Sequence, residues 1–140
     1  MPKTTIEEAA EKIGGTGKTS IPIKKLEIAI KKIVEENERN KNQKLKELKN
    51  KKVSLYEFTS IIDRLFTIIY YPRLQRFGCA FDDGFIKSKE TKTLTNIIGE
   101  SDTIEQALKN YVKLINGRVI VFNPNDKNER KYQVPKKLYV

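Results

Sequence analysis

The residues of this chain whose type and spacing could do chemistry are cations, and the chemistry open to them is holding phosphate. Glu38 to Lys52, ERNKNQKLKELKNKK, carries seven Lys/Arg against two acids, which is half of the chain's net charge of +10. Lysine and arginine at that density contact phosphates, and they position a polyanion without reading its sequence. Lys44, Lys46, Lys49, Lys51 and Lys52 form the first candidate nucleic-acid-binding group. Arg73 and Arg76 form a second, and Lys109 and Lys113 a third. Carboxylate, Lys or Tyr chemistry has its residues, but nothing in the pattern gathers them into a site, and the other common chemistries lack theirs. There is no histidine, hence neither the usual base at neutral pH nor the commonest metal ligand. Cys79 is the single cysteine, too few for an internal disulfide or a thiolate zinc cluster. Asp82 and Asp83 are adjacent carboxylates without a third ligand in the pattern, and with Gly84 they read as a turn. The stretch GGTGKTS ends as a phosphate loop does, at Gly17, Lys18 and Thr19. Lys12 stands where the first glycine belongs, and a helix precedes it where a strand should, so the stretch reads as a linker. The expectation is a protein that is not an enzyme, with no catalytic residue, no metal and no cofactor.

The elements that would carry these cations are read from hydrophobic period. Ser54 to Pro72, SLYEFTSIIDRLFTIIYYP, is the most strongly patterned stretch. Leu55, Phe58, Ile61, Ile62, Leu65, Phe66, Ile68 and Ile69 recur at helical steps. Ser54 and Glu57 make a capping box, and Pro72 stops the ladder. This predicts a central core helix. Before it come a short helix over 3–13, within an N-terminal segment 1–20 that ends in the glycine linker, and an amphipathic helix over 21–37. Leu26, Ala29, Ile30, Ile33 and Val34 line one face of the latter. The basic stretch 38–53 reads as a linker or arm. After Pro72, RLQRFG predicts a helical turn ended at Gly78. Asp83–Gly84 then makes a small hairpin or a compact loop. Ser88 caps a helix over 89–98 that ends at Gly99. Asp102 and Glu105 open a cleaner helix through Ile115, with Ile104, Ala107, Leu108, Tyr111, Val112 and Ile115 as its stripe. The period then changes to strands: Val119–Phe122, a turn at 123–126, and 131–134. Lys136 and Lys137 form a basic tail. The fold class expected is mainly α: a single domain whose core, 54–140, is a small helical bundle with one C-terminal β-hairpin, an α+β arrangement of winged-helix-like order.

Two resemblances rest on the order of these features. The helices over 89–98 and 103–115, the glycine turn at Gly99 and the hairpin over 118–134 resemble a winged helix. That resemblance implies groove contacts from Gln106, Lys109, Asn110 and Lys113. The second covers roughly residues 54–135: an apolar helix, then Leu74, Arg76, Phe77, Gly78, Cys79 and Ala80, then an acid-led helix with Ala107–Leu108, then a short basic hairpin. In that order the chain resembles the small subunit of archaeal type I-A CRISPR surveillance complexes. The resemblance implies a non-catalytic helical subunit that packs beside its copies and holds guide-paired or displaced DNA by its backbone.

The function expected is therefore that of a basic, non-catalytic, nucleic-acid-associated protein, a small subunit of a nucleoprotein assembly. Its partners would be nucleic acid and the other subunits, with self-association and no membrane. The alternatives are a winged-helix transcriptional regulator and a protein-interaction adaptor or inhibitor, viral or cellular, presenting Tyr70, Tyr71, Phe81, Phe85 and Tyr139. MPKTTIEEAAEK has no apolar core of a signal peptide, which points to the cytoplasm.

Overall fold

The computed structural model describes residues 22–88 and 90–140. The expected helix over 3–13 and the glycine stretch lie outside the described residues. Among those described there are three helices and nine strands in three sheets, an α+β fold. The expectation of a mainly helical bundle is overturned.

The chain divides into two units, 1–41 and 42–140. Helix α1, Ile23–Glu47, begins after Pro22, whose carbonyl accepts its first hydrogen bond, from Leu26 N–H at 3.1 Å. In the first unit Ile33 is its buried residue, and Lys24, Lys25, Lys31, Lys32, Glu35 and Glu36 are exposed. Helical structure continues past residue 37 through the basic stretch to Glu47.

The second unit holds the core. Strand β1, Lys52–Ser54, leads into helix α2, Leu55–Ile62. Ser54 caps α2 as expected, its Oγ accepting from Glu57 N–H at 3.0 Å. The helix does not run on to Pro72. It stops at Asp63, which is left-handed at φ 52° and donates its N–H to the Thr59 carbonyl. Strand β2, Phe66–Tyr71, comes next. FTIIYY is entirely β-branched or aromatic, the residues that lose χ1 freedom in a helix and fit a pleated surface. A continuous apolar run satisfies a helical period as readily as a strand, so the period was no guide there.

Pro72–Gln75 form the turn of a hairpin, and β3, Arg76–Phe81, returns along β2 with Phe66 opposite Phe81 and Tyr71 opposite Arg76. In place of the expected helical turn ending at Gly78, residues 73–75 belong to the hairpin turn and 76–78 to strand. Gly78 lies under the Tyr71 ring, which a Cβ there would meet at 2.8 Å. Asp82 and Asp83 turn the chain into β4, Gly84–Lys87, with Asp83 at φ 54°. Strand β4 leaves β3 and pairs with β7, Val119–Phe122, and with β5, Leu94–Thr95. The expected 89–98 helix is thus absent from its described residues. Ser88 does accept from Thr91 N–H, at 3.4 Å, but it closes a turn in which Ser88 N–H donates to Thr93 O at 2.8 Å. Strand β6, Gly99–Ser101, pairs with β3.

Helix α3, Ile104–Ile115, lies where its stripe predicts, capped by Thr103 Oγ1, which accepts from Gln106 N–H at 3.2 Å. It packs on β3 and β6. Gly99 makes that approach feasible: a Cβ there would come within 2.4 Å of Ala107 O and 2.6 Å of Tyr111 Cβ. The terminal hairpin also stands, β7 against β8, Arg130–Gln133. It is no free wing, since β7 is interior to a sheet of order β5-β4-β7-β8. With neither the first helix nor a free wing, the winged-helix reading falls. Strand β9, Lys137–Tyr139, closes the chain by pairing parallel with β1. The buried core joins Leu45, Val53, Phe58, Ile62, Phe81, Tyr111, Ile115, Ile120, Phe122, Tyr132 and Leu138.

Candidate functional site

The parallel pair β1–β9 gathers the first lysine group and adds to it. Val53 and Leu138 are opposite one another and buried, so by the two-residue period of a strand the flanking residues point away from the core. Those are Lys52 and Ser54 on β1, Lys137 and Tyr139 on β9. Lys52 is the register partner of Lys137. The Lys52 ammonium lies 4.7 Å from the centre of the Tyr139 ring, and Tyr139 is 42% exposed.

The neighbouring backbone fixes the rest. Lys136 N–H donates to Lys49 O at 3.1 Å, and Lys51 N–H to Leu48 O at 3.0 Å. Leu45 is buried and Leu48 half-buried against the core, which leaves Lys44, Lys46, Lys49, Lys51 and Lys52 exposed. With Lys136 and Lys137, seven exposed lysines lie along the last turn of α1, the turn that follows it, and the β1–β9 ribbon with its approach, joined by the Lys136–Lys49 backbone bond and the Lys52–Lys137 register. Among the described residues none of the seven is ion-paired with a carboxylate. Lys44 and Lys46 sit in the last turn of α1, where positive charge offsets the helix dipole. That accounts for two of them. Lys52 and Lys137 are paired in Cα register, and the Lys52 ammonium rests against the Tyr139 ring rather than on a carboxylate.

Of the other predicted residues, Arg76 and Lys109 are paired with acids, and Arg73 and Lys113 are exposed. Arg73 is in the β2–β3 turn and exposed. Arg76 opens β3 and lies 3.5 Å from Asp102. Lys109 is 3.1 Å from Glu105, one turn back on α3. Gln106 donates to Asn110 Oδ1 at 2.9 Å, and Asn110 donates to Glu100 O at 2.9 Å, so this face of α3 is occupied by its own contacts. Lys113 is exposed and three residues before Asn116, whose Oδ1 accepts from Leu138 N–H at 3.1 Å. Of the third group, Lys113 is the one placed toward β9.

Lys136 and Lys137 were missed as site residues because a parallel pairing of three residues has no local signal. A weak signal exists. Lys51-Lys52-Val53-Ser54 and Lys136-Lys137-Leu138-Tyr139 share a basic, basic, aliphatic, polar order, and those segments pair in register.

Cys79 is buried in β3, and burial pushes its thiol up to about 11. Among the described residues no three of His, Cys, Asp and Glu gather as metal ligands, and no helix is long and apolar enough to cross a membrane. Compared with known proteins, the chain matches no family model, no curated protein and no solved structure.

Proposed function

We propose that this chain is a non-catalytic, basic domain that holds nucleic-acid backbone through the β1–β9 lysine cluster, as a small subunit of a nucleoprotein assembly. The observation that carries the reading is the Lys52–Lys137 register, which sets two lysines without acidic partners on paired strands, with an exposed tyrosine beside Lys52 and five more exposed lysines in the segments that adjoin the two strands. A lysine groove with an aromatic face suits single strands: phosphates meet the ammonium groups and a base stacks on the ring. The same role is what the resemblance to type I-A small subunits implies. It needs no base reading, and the occupied polar face of α3 does not offer any.

The test is binding of the purified chain to random-sequence single-stranded DNA, single-stranded RNA and duplex DNA, across a range of salt. Reversing Lys49, Lys51, Lys52 and Lys137 to Glu should weaken binding to every sequence alike. It should also flatten the log–log salt dependence by roughly 0.7 per lost single-strand contact. Tyr139→Ala should cost about 1–3 kcal/mol on single strands and little on duplex. Unchanged affinity and slope in the reversed variant would exclude this cluster as the contact.

A further inference from the structure

The second surface of note is the hairpin β2–β3, and its open edge is uncharged. Strand β2 is the outer strand of the sheet β2-β3-β6, and among the described residues nothing pairs with its far side. Natural edge strands are kept apart by charges, prolines, bulges or short length. FTIIYY has none of these over six residues, and its register with β3 is unbroken from Phe66 to Tyr71. Exposed apolar residues lie on the strand and at its ends: Ile68 at 45% and Ile69 and Tyr70 at 47% on β2, Leu65 at 68% just before it, and Leu74 in the turn at 66%.

The hydrogen-bond pattern fixes which backbone groups are free. Asp82 N–H donates to Leu65 O at 2.9 Å. Residues 65 and 82 therefore form a hydrogen-bonded pair, and the alternation makes 67, 69 and 71 the residues of β2 that bond to β3. The N–H and C=O groups of Phe66, Ile68 and Tyr70 point away from β3, to the open edge.

We propose that β2 pairs antiparallel with β2 of a second copy of this chain about a two-fold axis at Ile68. In that register Ile68 faces Ile68 of the other copy, and Phe66 faces its Tyr70. Every outward group is matched, because each hydrogen-bonded pair exchanges two N–H···O bonds. Moving the axis by one residue toward the turn sets Phe66 against Pro72, which has no N–H to give. Moving it the other way leaves Tyr70 opposite Arg64, whose guanidinium is already 4.7 Å from the Phe122 ring centre. In its hydrogen-bonded pairs the register at Ile68 also brings aromatic to aromatic and aliphatic to aliphatic, Thr67 faces Ile69 between them, and the paired stretch holds no charged residue. Such a self-complementary patch is what a two-fold interface requires.

Sedimentation of the full chain from low micromolar to submillimolar concentration tests this, alongside Ile68→Lys and two cysteine variants built on Cys79→Ala. The background removes Cys79, the cross-strand neighbour of Ile68. Ile68→Lys puts a charge on an exposed position, and its circular dichroism should match the parent while self-association is lost. Ile68→Cys should give a covalent dimer on mild oxidation, since paired Cα atoms about 5.5 Å apart are within disulfide reach. Tyr70→Cys should not, because the two copies of that residue lie roughly 13 Å apart along the strands. A chain that stays monomeric throughout overturns the proposal, and so does a dimer that Ile68→Lys leaves intact. Monomer with the Phe66, Ile68 and Tyr70 amides protected from hydrogen exchange also overturns it, since the edge is then covered within one copy.

Discussion

At the scale of single residues, Tyr111 ties the sheet to α3 and sets a pH limit on the fold. Phe81 N–H points away from β2 and lies beyond the last residue that β6 pairs, so no strand can satisfy it. It donates instead to the Tyr111 Oη at 3.2 Å, inside the core. Burial pushes the Tyr111 phenol up to about 12, against the pull of that N–H, which favours the phenolate. Burial likewise raises Cys79 to about 11. Both groups stay protonated in the fold after they would ionise in the open chain. Their contribution is therefore whole below about pH 9 and is lost as pH rises toward 12. Urea midpoints measured at pH 8, 10 and 11 should fall in that order. Tyr111→Phe should cost about 1–3 kcal/mol at neutral pH by orphaning the Phe81 N–H. Above pH 10 it should fall less steeply than the parent. A midpoint as steeply pH-dependent in Tyr111→Phe would place the titration elsewhere.

At the scale of elements, what decides the site is a ribbon with one buried pair. Val53 and Leu138 anchor β1 to β9, and the Asn116 side chain holds Leu138 N–H from the end of α3. Leu138→Ala should cost about 2–4 kcal/mol of unfolding free energy. It should also weaken nucleic-acid binding under conditions where the variant is fully folded, although no lysine has changed. Full retention of binding would show that the lysines act without the ribbon. Helix α3 and the β7–β8 hairpin were legible in the sequence because each has a clean period and marked ends: for the helix, Asp102 and Glu105 at its start, the stripe from Ile104 to Ile115, then Asn116–Gly117, with Thr103 rather than Asp102 supplying the cap. The stretch from Ser54 was legible only as far as Ile62. Beyond it, the nearly unbroken apolar run Leu65–Tyr71, interrupted only by Thr67, fits both periods, and the preference of β-branched and aromatic side chains for strand prevailed. Residues 89–98 misled in a similar way. Ser88 is a helix cap or a turn closer by the same oxygen, and Thr91, Thr93 and Thr95 favoured the turn and strand. The lysine cluster was half legible: five members lie in one run, while Lys136 and Lys137 join them through a pairing that spans most of the second unit.

At the scale of the whole molecule, the lysine cluster and the open edge of β2 both belong to residues 42–140, so a β2-paired dimer carries two clusters. A strand long enough to reach both would bind the second as an intramolecular event. Its gain is set by effective concentration rather than by any new contact. The net charge of +10 speeds the encounter with any polyanion, but it acts alike on monomer and dimer and cannot by itself produce a length dependence of this kind. Wild type should therefore bind a long single strand roughly tenfold or more tightly than a short oligonucleotide, beyond the statistical factor for extra sites. Ile68→Lys should bind the short oligonucleotide as wild type does and lose the gain on the long one. It adds a positive charge, so general electrostatics would push its affinity upward, and a loss can come only from the broken pairing. If the long-strand gain survives in Ile68→Lys, the two clusters are not joined through β2. If short-oligonucleotide binding is absent in both proteins, the lysine cluster is not the contact, whatever the oligomeric state.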